Sequence, residues 1–346
     1  MKSIVKSFGL SALAICMLTA CDHDISIHND VHEDGSLERH VTLYESDSAA
    51  TNKNLFGITS EKGWTVNVNP IKSSESDKDA KFNLTFSKQF NSVEEANSEM
   101  DLPIDSLFRI SSTFSKENRW FYTYMSYSDT YRALNRFTYA PVDDYFTRED
   151  FAFIDRLPAE GKSISKGDSL YLVLLEEKIF DAYAPRTIFD EIFDDLMRNV
   201  REQGGIPGLE DTLMKKKDLI YRSLTSDDGG DQLPDVLGQL NISLPENIRQ
   251  AVDRKAKEVD QRAQFVSSAY SGKYSHGISM PWTVIESNAD SIAGNKLFWN
   301  PPVIKFLLTD YTMHVTARKL NIVPVIVSAL VILGTIFLAF YRRPQP

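Results

Sequence analysis

His28, Asp30, His32, Glu38 and His40 are the residues whose types and spacing best suit metal chemistry. Ile25, Ile27 and Val31 alternate with Ser26, His28, Asp30 and His32. Leu37, Val41 and Leu43 alternate with Glu38, His40 and Thr42, and Glu33-Asp34-Gly35 lies between the two runs. Period-two alternation around a turn predicts a β-hairpin. A two-residue Asp-Gly turn would pair Val31 with Glu38 and mix the faces. A three-residue loop with Gly35 left-handed pairs Val31 with Leu37, Ile27 with Val41 and Ile25 with Leu43, and is preferred because it keeps one face apolar. His28 then faces His40, Asp30 faces Glu38, and His32 joins the same polar face. Imidazole and carboxylate ligands suit Zn²⁺, Ni²⁺ or Cu²⁺, and a cation would relieve the opposition of Asp30 and Glu38. The alternative is a solvated polar face. A two-stranded ribbon holds ligands loosely, so no cofactor is expected.

The second candidate is aromatic: Trp120, Phe121, Tyr122, Tyr124, Tyr127, Tyr131 and Tyr139. Alternation sends Trp120, Tyr122 and Tyr124 to one face and Phe121 and Tyr127 to others. Exposed tyrosines and tryptophan would stack on sugars or cover lipid; packing of the whole cluster in the core is the alternative. Nucleophilic catalysis has little to build on. There is no Gly-x-Ser-x-Gly elbow, no His-Glu-x-x-His and no phosphate-binding glycine loop. Asp143-Asp144, Glu176-Glu177 and Asp194-Asp195 leave a carboxylate-pair hydrolase as the alternative to a binding or scaffold protein.

The ends of the chain carry membrane signals. Lys2 and Lys6 precede Phe8 to Ala20, a charge-free stretch of 13 residues. As a helix it reaches about 20 Å, short of the roughly 30 Å hydrocarbon core, which describes a signal peptide over residues 1–20. It ends Leu18-Thr19-Ala20-Cys21. This resembles the lipobox of bacterial lipoproteins, which implies that Cys21 becomes the diacylglycerol-modified first residue. Ile322 to Phe340 is a charge-free run of 19 residues, about 28 Å as a helix and matched to the bilayer core. Arg318 and Lys319 precede it; Tyr341, Arg342 and Arg343 follow. Export of everything up to that stop-transfer segment puts the body on the extracytoplasmic side, with residues 341–346 as a cytoplasmic tail. The expected site is the cell membrane, lipid-anchored and single-pass.

All 48 acidic residues lie in the body, and four of the 38 basic residues do not, which leaves the body at −14. Such a surface repels nucleic acid. With Cys16 removed and Cys21 acylated, the body has no cysteine for a disulfide, a zinc-thiolate site or a nucleophile.

Along the body, Gly63–Val68 and Lys81–Phe90 read as strands, and Ser92-Val93-Glu94-Glu95 as a capped helix start. Arg119–Tyr127 and Tyr131–Tyr139 read as two strands around a polar turn. Thr147 to Tyr270 is helical in pattern, with Ile188, Phe189, Ile192, Phe193, Leu196 and Val200 on one face and Pro245 to Ser268 as a long amphipathic helix. Ser271 to Gly277 reads as a polar connector. Strands return at Trp282–Ser287, Lys296–Trp299 and Asp310–Leu320. The expected fold is α+β: an N-terminal β-rich part over 21–146 is completed by C-terminal strands over 271–321, a helical insertion spans 147–270, and a transmembrane helix follows over 322–340. Both ends of the body are expected to adjoin one membrane surface.

Asp24 to Leu43 with its Asp34-Gly35 turn resembles the opening of LppM-type lipoprotein domains. So do Phe90-Asn91-Ser92-Val93-Glu94-Glu95-Ala96-Asn97 and the run from Met280-Pro281-Trp282-Thr283-Val284 through Asn288, Asn295 and Trp299. The family typically has Pro-Gly after that Met, where this chain has Pro281-Trp282. Asn118-Arg119-Trp120-Phe121-Tyr122-Thr123-Tyr124, followed by Asp129-Thr130-Tyr131, is similar to uncharacterised lipoproteins of the Bacteroides lineage. The resemblance leaves out the central helical segment. It implies an α+β envelope domain and binding of lipid or glycolipid, and it supplies no catalytic residues.

Overall fold

The structure, a computed structural model, describes residues 24–46, 55–70, 82–203, 207–226 and 233–341. The signal peptide, Cys21 and residues 342–346 lie outside the described residues. The hairpin is β1 (Asp24–Val31) and β2 (Leu37–Ser46). Val31 pairs with Leu37, Ile27 with Val41 and Ile25 with Leu43, as the one-face argument requires. Gly35 has φ +89°, and a β-carbon there would lie 2.9 Å from the Phe114 ring. Both the turn and the contact therefore demand glycine.

β3 (Thr65–Pro70) and β4 (Phe82–Phe90) extend this sheet on the β2 side. On the β1 side comes β7 (Lys273–Ser279), parallel to β1, then β10 (Lys296–Trp299) and β9 (Ser291–Ala293). β7 corrects the sequence reading. Its Ser, Gly and His residues look like a connector, yet it is a central strand buried on both sides of the sheet.

The second sheet has the order β5 (Ile110–Asn118), β6 (Tyr122–Tyr131), β11 (Tyr311–Leu320), β8 (Thr283–Ser287). Here too the sequence reading is corrected. Ser128-Asp129-Thr130 is not a turn but the continuation of one strand, and the reversal falls earlier, at Arg119-Trp120-Phe121. Thr123, Met125, Tyr127, Asp129 and Tyr131 all point inward. The polar run misleads because Ser128 and Thr130 face outward while Asp129 has a buried partner. On β11, Met313, Val315 and Ala317 are buried, as alternation predicts. α1 (Val93–Met100) begins with Ser92 accepting a hydrogen bond from Glu95 N. Its Asn97 side chain exchanges two hydrogen bonds with the Ser112 backbone, 2.6 and 2.8 Å, and so covers the free edge of β5.

The helical segment comprises α2 (Arg148–Asp155), α3 (Lys166–Glu177), a π-helical turn over Lys178–Tyr183, α4 (Ala184–Gln203), α5 (Leu209–Thr225), α6 (Leu233–Gln239) and α7 (Glu246–Tyr270). α4 buries Ile188, Phe189, Ile192, Phe193 and Leu196 and packs along α7. Buried Glu191 binds Lys255 at 2.8 Å and also Arg262. The fold is thus α+β, with both sheets mixing N- and C-terminal strands around a helical insertion.

The last helix, α8 (Ile322–Tyr341), has no buried residue. It leaves the body beside the β1–β2 turn, where Lys319 Nζ meets Glu33 at 3.1 Å. β1 begins at the opposite pole, about 23 Å away along the strand. Asp24 lies there beside Lys273, where the helical segment returns. The two described ends of the body, Asp24 and Asn321, therefore lie at opposite poles.

Candidate functional site

On the outer face of the hairpin, His28 faces His40 and Asp30 faces Glu38 in register. His28 Nε2 lies 2.9 Å from Ser279 Oγ and 3.3 Å from Asp30 Oδ1. His40 Nε2 lies 3.7 Å from Asp30 and 3.5 Å from Glu38. These four side chains touch, whereas His32 is exposed at the turn. Among the described residues no group of three or more His, Cys, Asp or Glu side chains is placed to hold a metal ion. The patch is a polar ladder in which the imidazoles lean on carboxylates. Gly277 makes room for it: a β-carbon there would sit 2.3 Å from His28 Nδ1.

The aromatic cluster divides among three environments. Tyr127 and Tyr131 are core residues. Tyr122 and Tyr124 are half-buried on the outer face of the second sheet, with ring centroids 6.3 Å apart. Arg318 lies over Tyr122 at 4.6 Å and Arg119 over Tyr124 at 4.9 Å. Beside them runs a ladder of hydroxyls, with Thr113–Ser128, Ser126–Thr316 and Thr130–Thr312 in hydrogen-bond contact. Trp120 stands apart in the β5–β6 turn, 62% exposed, and donates through Nε1 to Ser328 Oγ of α8 at 3.0 Å.

Between the sheets lies a polar network that the sequence reading missed. Asn29 and Arg39 sit opposite each other on the inner face of the hairpin, fully buried. Asp129 Oδ1 accepts from Ser112 Oγ at 2.5 Å, Tyr127 OH at 2.8 Å and Arg39 Nη2 at 3.0 Å. Its Oδ2 accepts from Asn29 Nδ2 at 2.5 Å and lies 2.9 Å from His276 Nε2. Arg39 Nε donates to Asn29 Oδ1 at 2.7 Å. Burial alone would raise the Asp129 pKa, but the Arg39 guanidinium, the hydrogen bond from His276 and the Ser112 hydroxyl outweigh it, and the carboxyl is held well below its usual range. Burial lowers the His276 pKa against the pull of Asp129. A neutral imidazole then donates from Nε2 to Asp129 and accepts at Nδ1 from Tyr131 OH, 3.0 Å away. Ser, His and Asp are all present, but Ser112 bonds the carboxylate and not the imidazole. The hydroxyl is spent on a carboxylate that Arg39 already neutralises, and the group acts as an ionic clamp between the sheets. Its legible trace was parity: Asn29 falls with Ile25, Ile27 and Val31, and Arg39 with Leu37, Val41 and Leu43.

The carboxylate pairs do not converge. Asp143 and Asp144 are exposed. Glu176 accepts from Tyr270 OH at 2.6 Å while Glu177 faces solvent. Asp195 is engaged by Arg198 and Asn199, and Asp194 is exposed.

No family model and no curated protein matches the chain, so the similarity to Bacteroides-lineage lipoproteins gains no support from them. Among solved structures, the folded domain of the Mycobacterium tuberculosis LppM protein, determined by NMR, aligns over 86% of this chain and 91% of its own. The alignment has 9% identity and a TM-score of 0.25.

Proposed function

We propose that this chain is a membrane-anchored envelope lipoprotein whose body lies outside the cytoplasm and presents a binding or scaffolding surface for lipid or glycan. The observation that carries the reading is α8: 20 residues, mean hydropathy 2.7, none of it buried. Its length, about 30 Å, matches the hydrocarbon core. The lipobox at Cys21 supplies the second anchor and the direction of export. The strip of Tyr122 and Tyr124 under two arginines, continued by the hydroxyl ladder, supports the binding part, since sugars stack on aromatic faces and hydrogen-bond to neighbouring hydroxyls.

A variant in which residues 1–21 are replaced by an ordinary cleavable signal peptide should remain in the membrane pellet after carbonate washing, held by α8 alone, and protease added to spheroplasts should digest the body. Release of the variant by carbonate would overturn the anchor, and a protected body would overturn the sidedness. A lipid and glycan array probed with full-length protein in detergent tests the surface. Signal that survives Tyr122→Ala together with Tyr124→Ala would locate binding elsewhere.

A further inference from the structure

The turn between β5 and β6, Arg119-Trp120-Phe121, differs from an ordinary exposed turn in where its polar groups go. Arg119 N donates to Tyr122 O at 2.8 Å. The three carbonyls of the turn are served by one residue at the root of α8. Asn321 N donates to Phe121 O at 2.8 Å, and Asn321 Nδ2 donates to Arg119 O at 2.8 Å and reaches Trp120 O at 3.5 Å. Asn321 Oδ1 in turn accepts from Thr123 Oγ1 at 2.8 Å. The indole N–H is satisfied by Ser328, and the same bond engages the first hydroxyl of the span. Beside the exposed Arg119–Glu117 ion pair, what remains outward at the tip is apolar: the rings of Trp120, 62% exposed, and Phe121, 46% exposed.

Depth is set by the helix. Ser328 lies six residues beyond Ile322, about 9 Å along the axis. An indole bonded to Ser328 therefore cannot stay at the level where α8 begins. Arg318 and Lys319 stand immediately before the helix, at the height of headgroup phosphates. An open groove of about 460 Å³ at the root of α8 changes from polar walls at Asn118, Thr123 and Lys319 to apolar ones at Val323 and Pro324.

We propose that the β5–β6 turn is a second membrane contact, its Trp120 and Phe121 side chains seated in the interfacial layer of the same leaflet that α8 enters. The inference rests on the reading of α8 as a membrane span. Unpaired backbone groups are costly in lipid, and Asn321 removes that cost for the carbonyls of the turn. Tryptophan favours the membrane interface, where its apolar body and polar tip are both accommodated. The contact ties the body to the helix, so that the aromatic–arginine strip on the second sheet stands next to the headgroups.

The test uses full-length protein in phosphatidylcholine–phosphatidylglycerol vesicles, with and without lipids brominated on the acyl chains. Trp64, Trp282 and Trp299 are buried in the body, so fluorescence quenched in wild type but not in Trp120→Phe reports position 120. Quenching of the wild type and its loss in Trp120→Phe are expected. A span control adds Ile332→Trp to the Trp120→Phe chain. Strong quenching of that control, with wild type quenched no more than Trp120→Phe, would overturn the second contact and leave the anchor standing. An unquenched control would show that α8 does not enter lipid, and the inference would fall with it.

Discussion

Asp129 is an ionised carboxylate shut away from water, and its neighbours are the reason it stays ionised. Replacing it with asparagine leaves the Arg39 guanidinium buried without a counter-charge, and breaking such a pair from one side costs about 3–5 kcal/mol. Arg39→Met should cost a similar amount, while Arg39→Met with Asp129→Leu should be less destabilised than either single variant, because no lone charge remains. Urea unfolding measures all three. Equal and additive losses would contradict the clamp. The same series carries a pH dependence of fixed sign. Asp129 and His276 are both depressed in the folded state, from ordinary values of 3.8 and 6.5, so the folded protein binds fewer protons than the unfolded chain. Stability should be level above pH 6.5, fall first as His276 must stay neutral against its solution preference, and fall again once the pH drops below the ordinary carboxylate range. His276→Gln should flatten the first step only.

At the scale of elements, one glycine decides how β7 lies against β1. Gly277 is paired with His28, whose ring occupies the place of a side chain. Gly277→Ala should destabilise by about 1–3 kcal/mol through overpacking, and His28→Ala in the same chain should recover most of the loss in thermal unfolding. Failure of that rescue would mean that the backbone, and not the imidazole, requires glycine. This pairing also explains what a sequence can and cannot show. Hairpin register, the buried face of β11 and the α4 stripe were legible because apolar periodicity specifies them directly. β7 was not, because its burial comes from partners some 250 residues away in sequence, which single-chain patterning cannot see. β6 was divided in two because Ser128-Asp129-Thr130 has turn composition; the ladders to β5 and β11 and the remote partners of Asp129, Arg39 among them, make strand the better state. The histidine–carboxylate ladder was legible as a juxtaposition, since register alone creates it. The split of the aromatics between core, sheet face and helix root needed the tertiary fold.

For the molecule as a whole, the decisive geometry for the proposed double anchoring is that Asp24 and the start of α8 lie at opposite poles. α8 departs beside Glu33, and Asp24 lies about 23 Å away along β1. Only Asp22 and His23 separate the strand from Cys21, about 10 Å of chain from Cys21 to Asp24. An upright body on α8 would therefore hold an acylated Cys21 well above the membrane, where its hydrocarbon chains would face water. Burial of acyl chains is worth about 0.8 kcal/mol per CH₂, far more than the cost of tilting a body on one helix. One bilayer can receive both anchors only when the strands lie along its surface. We therefore expect the acylated protein to lie down and a protein made with an ordinary cleavable signal peptide in place of residues 1–21 to stand, with the β5–β6 tip seated in both because Asn321 binds it to α8. Glu160 lines the same groove as Asp24 and Lys273 and so reports the far pole. A fluorophore on Glu160→Cys should transfer energy efficiently to headgroup acceptors in acylated vesicle-bound protein and lose much of that transfer in the protein made without residues 1–21. Equal transfer in the two proteins would mean that the acyl group does not set the tilt of the body.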